Sequence, residues 1–179
     1  MKILLIFTLF YLFLFSGCSK NSTEPVPAGS QISVTGDVTE SYKVTAFFGT
    51  STYSGDTTVK KYFSILFFPN AEGSNPLAFT ILFKSDPELP TSQTYTIGKF
   101  ALGQDIPANH FGGGFSGINT EGFAGYTMTQ GTISFKSVSE STITGELNMS
   151  GYWAQGVEED STRTVTITGN FHAIPMSED

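Results

Sequence analysis

The chain has 179 residues, 39% of them apolar and 14% aromatic, with sixteen acidic residues against nine basic and a formal net charge of −7. That length and apolar content suffice for one domain with a sizeable core, and the acidic balance disfavours phosphate-rich partners such as nucleic acid. The charges are scattered apart from Glu158, Glu159 and Asp160, a pattern that serves solubility before recognition.

At the amino terminus Lys2 precedes a charge-free run from Ile3 to Phe15, and the small residues Ser16 and Gly17 lead to Cys18, the sole cysteine. A cationic end, a short apolar segment and small residues before a cut are what signal peptidases read, and the run is too short for a spanning helix of about 20 apolar residues. Leu14 to Cys18 resembles the lipobox of bacterial lipoproteins, with Phe15 standing where that family prefers Leu, Val or Ile. The resemblance implies cleavage before Cys18, a thioether from its sulfur to diacylglycerol, and an acyl chain on its new amino group. Two or more chains are enough for stable anchoring. Ser19 follows, not the Asp of inner-membrane retention, which favours the outer membrane of a bacterial envelope. Residues 1–17 are thus read as a signal peptide and 18–30 as the lipidated cysteine with a polar, proline-containing linker. Residues 31–179 form the domain, which has no free thiol once Cys18 is acylated, no internal disulfide, and a stability that comes from its core.

Within the domain apolar residues recur at every second position between clusters of turn formers, the period of half-buried strands. Strands are expected at Ile32–Val38, Tyr42–Phe48 and Val59–Phe68. The last carries apolar residues in both phases, so it lies centrally or presents a second surface that another element or a partner covers. A loop from Pro69 to Pro76 leads to a strand holding Leu77, Phe79, Ile81 and Phe83. After a connection from Asp86 to Gln93, Thr94–Ile97 reads as a short strand. His110 to Tyr126 interleaves six glycines with Phe111, Phe115, Phe123 and Tyr126. It lacks the Lys and Ser or Thr of a nucleotide loop and is expected to be a surface loop or irregular edge, with a lid over a ligand site as the functional alternative. Strands follow at Gly131–Val138, Ser141–Trp153 and Thr162–Ile174. The fold class is therefore all-β, a single antiparallel sandwich or barrel-like domain of about eight to ten strands.

Gly36, Gly145 and Gly169 each follow a Thr in the inward phase of a strand. An inward glycine makes room for a ring or for close backbone. The shared pattern predicts that the strand at Ile32 lies beside the hairpin from Ser141 to Ile174, joining the ends of the domain.

TYTIG at Thr94–Gly98, the stretch Gly131–Trp153 and TVTITGNFHAI at Thr164–Ile174 resemble a group of uncharacterised β-rich lipoproteins of the Bacteroidetes and related phyla. The resemblance implies a sandwich-like or barrel-like envelope domain with no catalytic residues to carry over.

Two histidines and no free thiol make a zinc site improbable, and no cofactor or metal is expected. His110, beside the glycine-rich region, has no nucleophile motif to activate, while His172 falls in a polar phase. Glu158, Glu159 and Asp160 lack the spacing of a calcium loop and read as a solvated turn. His110, Phe111 and Tyr152 are the candidate ligand-binding residues, Tyr152 because an outward aromatic beside Trp153 can stack on a sugar ring. The leading expectation is a lipid-anchored, non-catalytic binding or structural domain with an envelope protein or glycan as partner. The alternatives are a barrel carrying an apolar ligand and a hydrolase of envelope polymers that would need paired carboxylates.

Overall fold

The structure is a computed structural model that describes residues 30–54, 59–70, 79–155 and 157–176. The signal segment, Cys18 and the linker as far as Gly29 lie outside the described residues. The described chain forms nine strands: β1 (Gln31–Gly36), β2 (Glu40–Ser54), β3 (Val59–Pro69), β4 (Phe79–Lys84), β5 (Thr94–Ile97), β6 (His110–Asn119), β7 (Gly122–Val138), β8 (Ile143–Gln155) and β9 (Glu158–Pro175). They make one sheet in the order β1, β2, β3, β4, β6, β5, β7, β8, β9, and β1 pairs with β9 to close it in a ring.

The sheet is mixed, which corrects the expectation of a purely antiparallel fold. Beyond the start of β1, β2 and β9 pair directly in parallel from Ala46 opposite Ala173 to Phe48 opposite Pro175. β5 runs parallel to β6 at Thr96 and Ile97. It wedges between β6 and β7, which diverge at that level after pairing as a hairpin from Gly114 to Thr127. The region His110–Tyr126 is accordingly strand and not a loop. Rings occupy the places of two of its glycines: a Cβ on Gly112 would meet the Phe83 ring at 2.7 Å and Phe100 at 3.2 Å, and one on Gly117 the Phe115 ring at 2.7 Å.

Alternation sends one phase of every strand inward. Rings fill the interior, with Phe111 edge-on to Phe63 (6.4 Å) and Tyr95 (5.2 Å), Phe135 against Tyr95 and Phe171, and Phe171 edge-on to Phe67 (5.4 Å). Edge-to-face pairs of this kind add about 0.5–1.5 kcal/mol each beyond their burial. Aliphatic residues of β1, β8 and β9 (Ile32, Val34, Leu147, Met149, Val165, Ile167) complete the core. In β4 the inward residues are Thr80, Leu82 and Lys84, opposite Phe67, Ile65 and Phe63 of β3. Phe79, Ile81 and Phe83 face out.

The two apolar phases of β3 now have an explanation. Phe63, Ile65 and Phe67 point into the ring, while Tyr62 on the outer side joins Phe83 and Ile106 in a second, small core with Tyr53, Ile81 and Phe100 around it. Residues 98–109 lie over that outer face. The Tyr62 hydroxyl fastens them, accepting from the Gly103 N–H (2.7 Å) and donating to the Gln104 carbonyl (3.1 Å).

Candidate functional site

Among the described residues, a dense polar cluster stands at the end of the ring where β1 stops and the β6–β7 hairpin turns. Gly36, at φ +114°, turns the chain so that the Asp37 N–H donates to the Thr164 carbonyl (2.8 Å), and this brings the Asp37 carboxylate in toward β7 and β9. A positive φ is a conformation that glycine adopts without a steric penalty. On β9 the register slips between Tyr152 opposite Thr164 and Trp153 opposite Asp160, and the Asp160 carboxylate holds the extra residues by accepting from the N–H and hydroxyl of Thr162. Such a bulge re-aims a side chain. Here it directs Arg163, the only arginine, over the ring of Trp153, the only tryptophan, with 5.1 Å from guanidinium carbon to ring centre.

Asp37 accepts from the Tyr126 hydroxyl in a short bond, from Asn119 Nδ2 (3.1 Å), and from Arg163 Nε (3.3 Å) and Nη2 (3.2 Å). Arg163 Nη1 also reaches Glu121 Oε2 at 3.0 Å. The Tyr126 bond, with those from Asn119 and Arg163, outweighs burial and holds the Asp37 carboxyl below its ordinary value near 3.8. Burial and the neighbouring carboxylate push the Tyr126 phenol up to about 12. Chemically, the cluster is a tie that joins β1, β6, β7 and β9 across one end of the ring.

Asp37→Asn should therefore destabilise the domain by about 2 kcal/mol at neutral pH, the scale of a hydrogen-bonded, partly buried charge. A carboxylate with a depressed folded pKa contributes stability that is present above its unfolded value and lost as pH falls through the folded one. The gap between wild type and Asp37→Asn should accordingly narrow in urea titrations taken from pH 7 down through and below pH 4. A gap that stays constant with pH would contradict the assignment.

The expected site residues fall in three different environments. Tyr152 faces outward on β8, donates to Glu159 Oε2 (2.8 Å), and carries the Lys99 ammonium over its ring at 5.3 Å. Lys99 in turn pairs with Glu159 at 2.8 Å. His110 begins β6 on the outer face, edge-on to Phe100 at 5.9 Å, with Nδ1 buried and without a hydrogen-bond partner. Phe111 points the other way and is 0% exposed. His110 and Phe111 therefore cannot line one pocket, whereas Tyr152 and His110 lie against successive residues, Lys99 and Phe100, of the covering segment. Glu158, Glu159 and Asp160 belong to β9, paired with Gln155, Ala154 and Trp153, and not to a loop. His172 accompanies the outward phase and donates its backbone N–H to Ser30 Oγ (2.9 Å).

At the opposite end of the ring, Lys84 turns inward, its side chain only 6% exposed, with Nζ 3.1 Å from Asp86 and 5.9 Å from the centre of the Phe63 ring. A shallow depression of about 280 Å³ opens there between Lys84, Ser85, Asp86 and Ile106 to Ala108. Nearby, the Tyr95 hydroxyl accepts from the Thr91 N–H (2.9 Å). Burial opposes its ionisation, but the bonds from Thr91 and Gln93 and the charge of Lys84 together hold the phenol below its usual value.

Sequence reasoning missed Asp37, Asn119, Tyr126 and Arg163 because they stand as far as 126 residues apart. The one usable signal was the singularity of the arginine. No family model, curated protein or solved structure matches the chain.

Proposed function

We propose that this chain is a lipid-anchored protein of the bacterial cell envelope whose β domain, a barrel filled with side chains, acts as a non-catalytic binding or structural module. The carrying observation is the charge-free run that ends in Ser16, Gly17 and the sole cysteine. Ser19 after Cys18, where inner-membrane retention would have Asp, favours the outer membrane. The polar groups of the Asp37 cluster are bonded to one another and present no free acid–base pair. Among the described residues, side chains pack against one another inside the ring, which favours this reading over a carrier, whose site for an apolar ligand is concave and largely preformed. A glycan partner has less in its favour, since Tyr152 is half-buried and its ring carries the Lys99 ammonium at 5.3 Å, where a sugar would have to stack.

Expression of the full chain in a lipoprotein-processing host with alkyne-palmitate is the test. Mass spectrometry should find Cys18 as the first residue, carrying diacylglyceryl and amide-linked acyl groups, and Cys18→Ser should take up no label. Labelling of Cys18→Ser equal to wild type would overturn the anchor.

A further inference from the structure

The outer surface of the ring has two contrasting halves. Across β7, β8, β9 and β1 the outward row in register is Thr132, Asn148, Thr168 and Ser33. Across β9, β2, β3 and β4 the corresponding row is Ile174, Phe47, Leu66 and Ile81. Phe68 and Phe79 stand in the next row, and Phe47 and Phe68 are edge-on at 6.1 Å. These six are half-buried. The segment 98–109 covers the outer side at Tyr62, Phe83 and Ile81, and the stripe continues beyond it.

Two further observations indicate what the stripe meets. The chain enters the domain beside it: the Ser30 carbonyl accepts from the Val44 N–H at 3.1 Å, one residue from Thr45, which lies opposite Phe68. Cys18 is joined to this point by Ser19 to Ser30, a reach of about 40 Å when extended and about 20 Å as a flexible chain. The charge pattern agrees. In a protein with sixteen acidic residues, β2, β3, β4 and β6 hold one carboxylate among them, Glu40, at the first position of β2 and in its inward phase. Lys43 is outward beside the entry point.

We propose that the outer face of β2, β3 and β4 rests on the bilayer that holds the acyl anchor, so that the ring lies with its side on the membrane and the hydroxyl-rich face of β7, β8 and β9 toward the compartment. The inference rests on the lipid anchor. An aromatic and aliphatic face enters the headgroup boundary, and the strands that carry it bring a single carboxylate toward anionic headgroups, while Asp105 of the covering segment 98–109 is exposed at the edge of that face and paired with Lys60 at 2.7 Å. Lys43 is placed to reach phosphates from the rim.

Because acylation consumes the Cys18 thiol, a single new cysteine can be labelled alone. The mature acylated protein bearing Leu66→Cys, and a second form bearing Thr166→Cys, each carry a polarity-sensitive dye and are reconstituted in vesicles of phosphatidylethanolamine and phosphatidylglycerol. The dye at position 66 should shift to the blue and be quenched by doxyl-labelled phospholipid, and the dye at 166 should do neither. Ser116→Cys, at the end of the Phe68–Phe79 row, repeats the measurement if Leu66→Cys does not fold. An acyl mass on Cys18 with both dyes equally wet would overturn the docking alone. Absence of the acyl mass would overturn the anchor and the docking with it. A blue shift already complete in detergent and dependent on protein concentration would show a second copy on the face and overturn the membrane as its occupant.

Discussion

Phe111→Ala should lower the stability of the domain by about 4 kcal/mol, near the upper end of large-to-alanine substitutions in cores. The ring is fully buried and touches Phe63, Tyr95 and Phe135, so its removal takes away both transfer free energy and the central member of the aromatic stack. Surrounding rings on three strands are held by the sheet and can collapse only partly into the space. The measurement is the urea midpoint of the variant, with the slope of the transition showing whether unfolding stays cooperative. A loss under about 1 kcal/mol would mean that Phe111 lines an accessible site, as a ligand contact would, and not the core. His110→Ala offers the contrast. Its ring rests against Phe100 on the outer face, so the change should cost far less.

The alternation of apolar residues was enough to read most strands, because in a ring packed on one side the period of two is imposed by burial at every turn of the pleat. Thr94–Ile97 and the long run from Ser141 to Trp153 are examples. The glycine-rich stretch from His110 was not legible, since glycine weakens a strand by itself and the rings that cover Gly112 come from residues 83 and 100. The parallel contacts were equally hidden. β5 has four residues, and its place between β6 and β7 depends on where those two strands separate. Neither turn chemistry nor pattern specifies that point. The Asp37 cluster depends on a bulge in β9 and a positive φ at Gly36, local events that bring together residues with no common spacing. Of the candidate residues, Tyr152 was correctly read as outward, because its neighbours in β8 alternate without interruption up to the bulge.

Gly169→Val should destabilise the domain by about 3 kcal/mol, at the high end for overpacking, despite the better strand propensity of valine. The pairing of β1 with β9 closes the ring, and Gly169 lies opposite Ile32 within it. The expectation from the repeated Thr-Gly pattern was that such glycines make room for rings or for close backbone: at the seam Gly36 and Gly169 make room for backbone, and Gly145 on β8 makes room for both. A Cβ at 169 would stand 2.2 Å from the Gln31 carbonyl oxygen and 3.0 Å from the Ile32 Cα, which are backbone atoms that cannot swing aside. At Gly145 the intruder would meet the Ser134 carbonyl at 2.4 Å and the Phe171 ring at 2.7 Å, so a rotating ring could relieve only part of the clash. Relief at 169 therefore requires β1 to move away from β9. That would break the bonds that close the sheet and expose two strand edges able to recruit other chains. The variant should show an early urea midpoint together with concentration-dependent association, and Gly169→Ala should show most of the same loss because the clash begins at Cβ. Stability of Gly169→Ala equal to wild type would place β1 farther from β9 than the register allows and would remove the seam as the element that holds the ring closed.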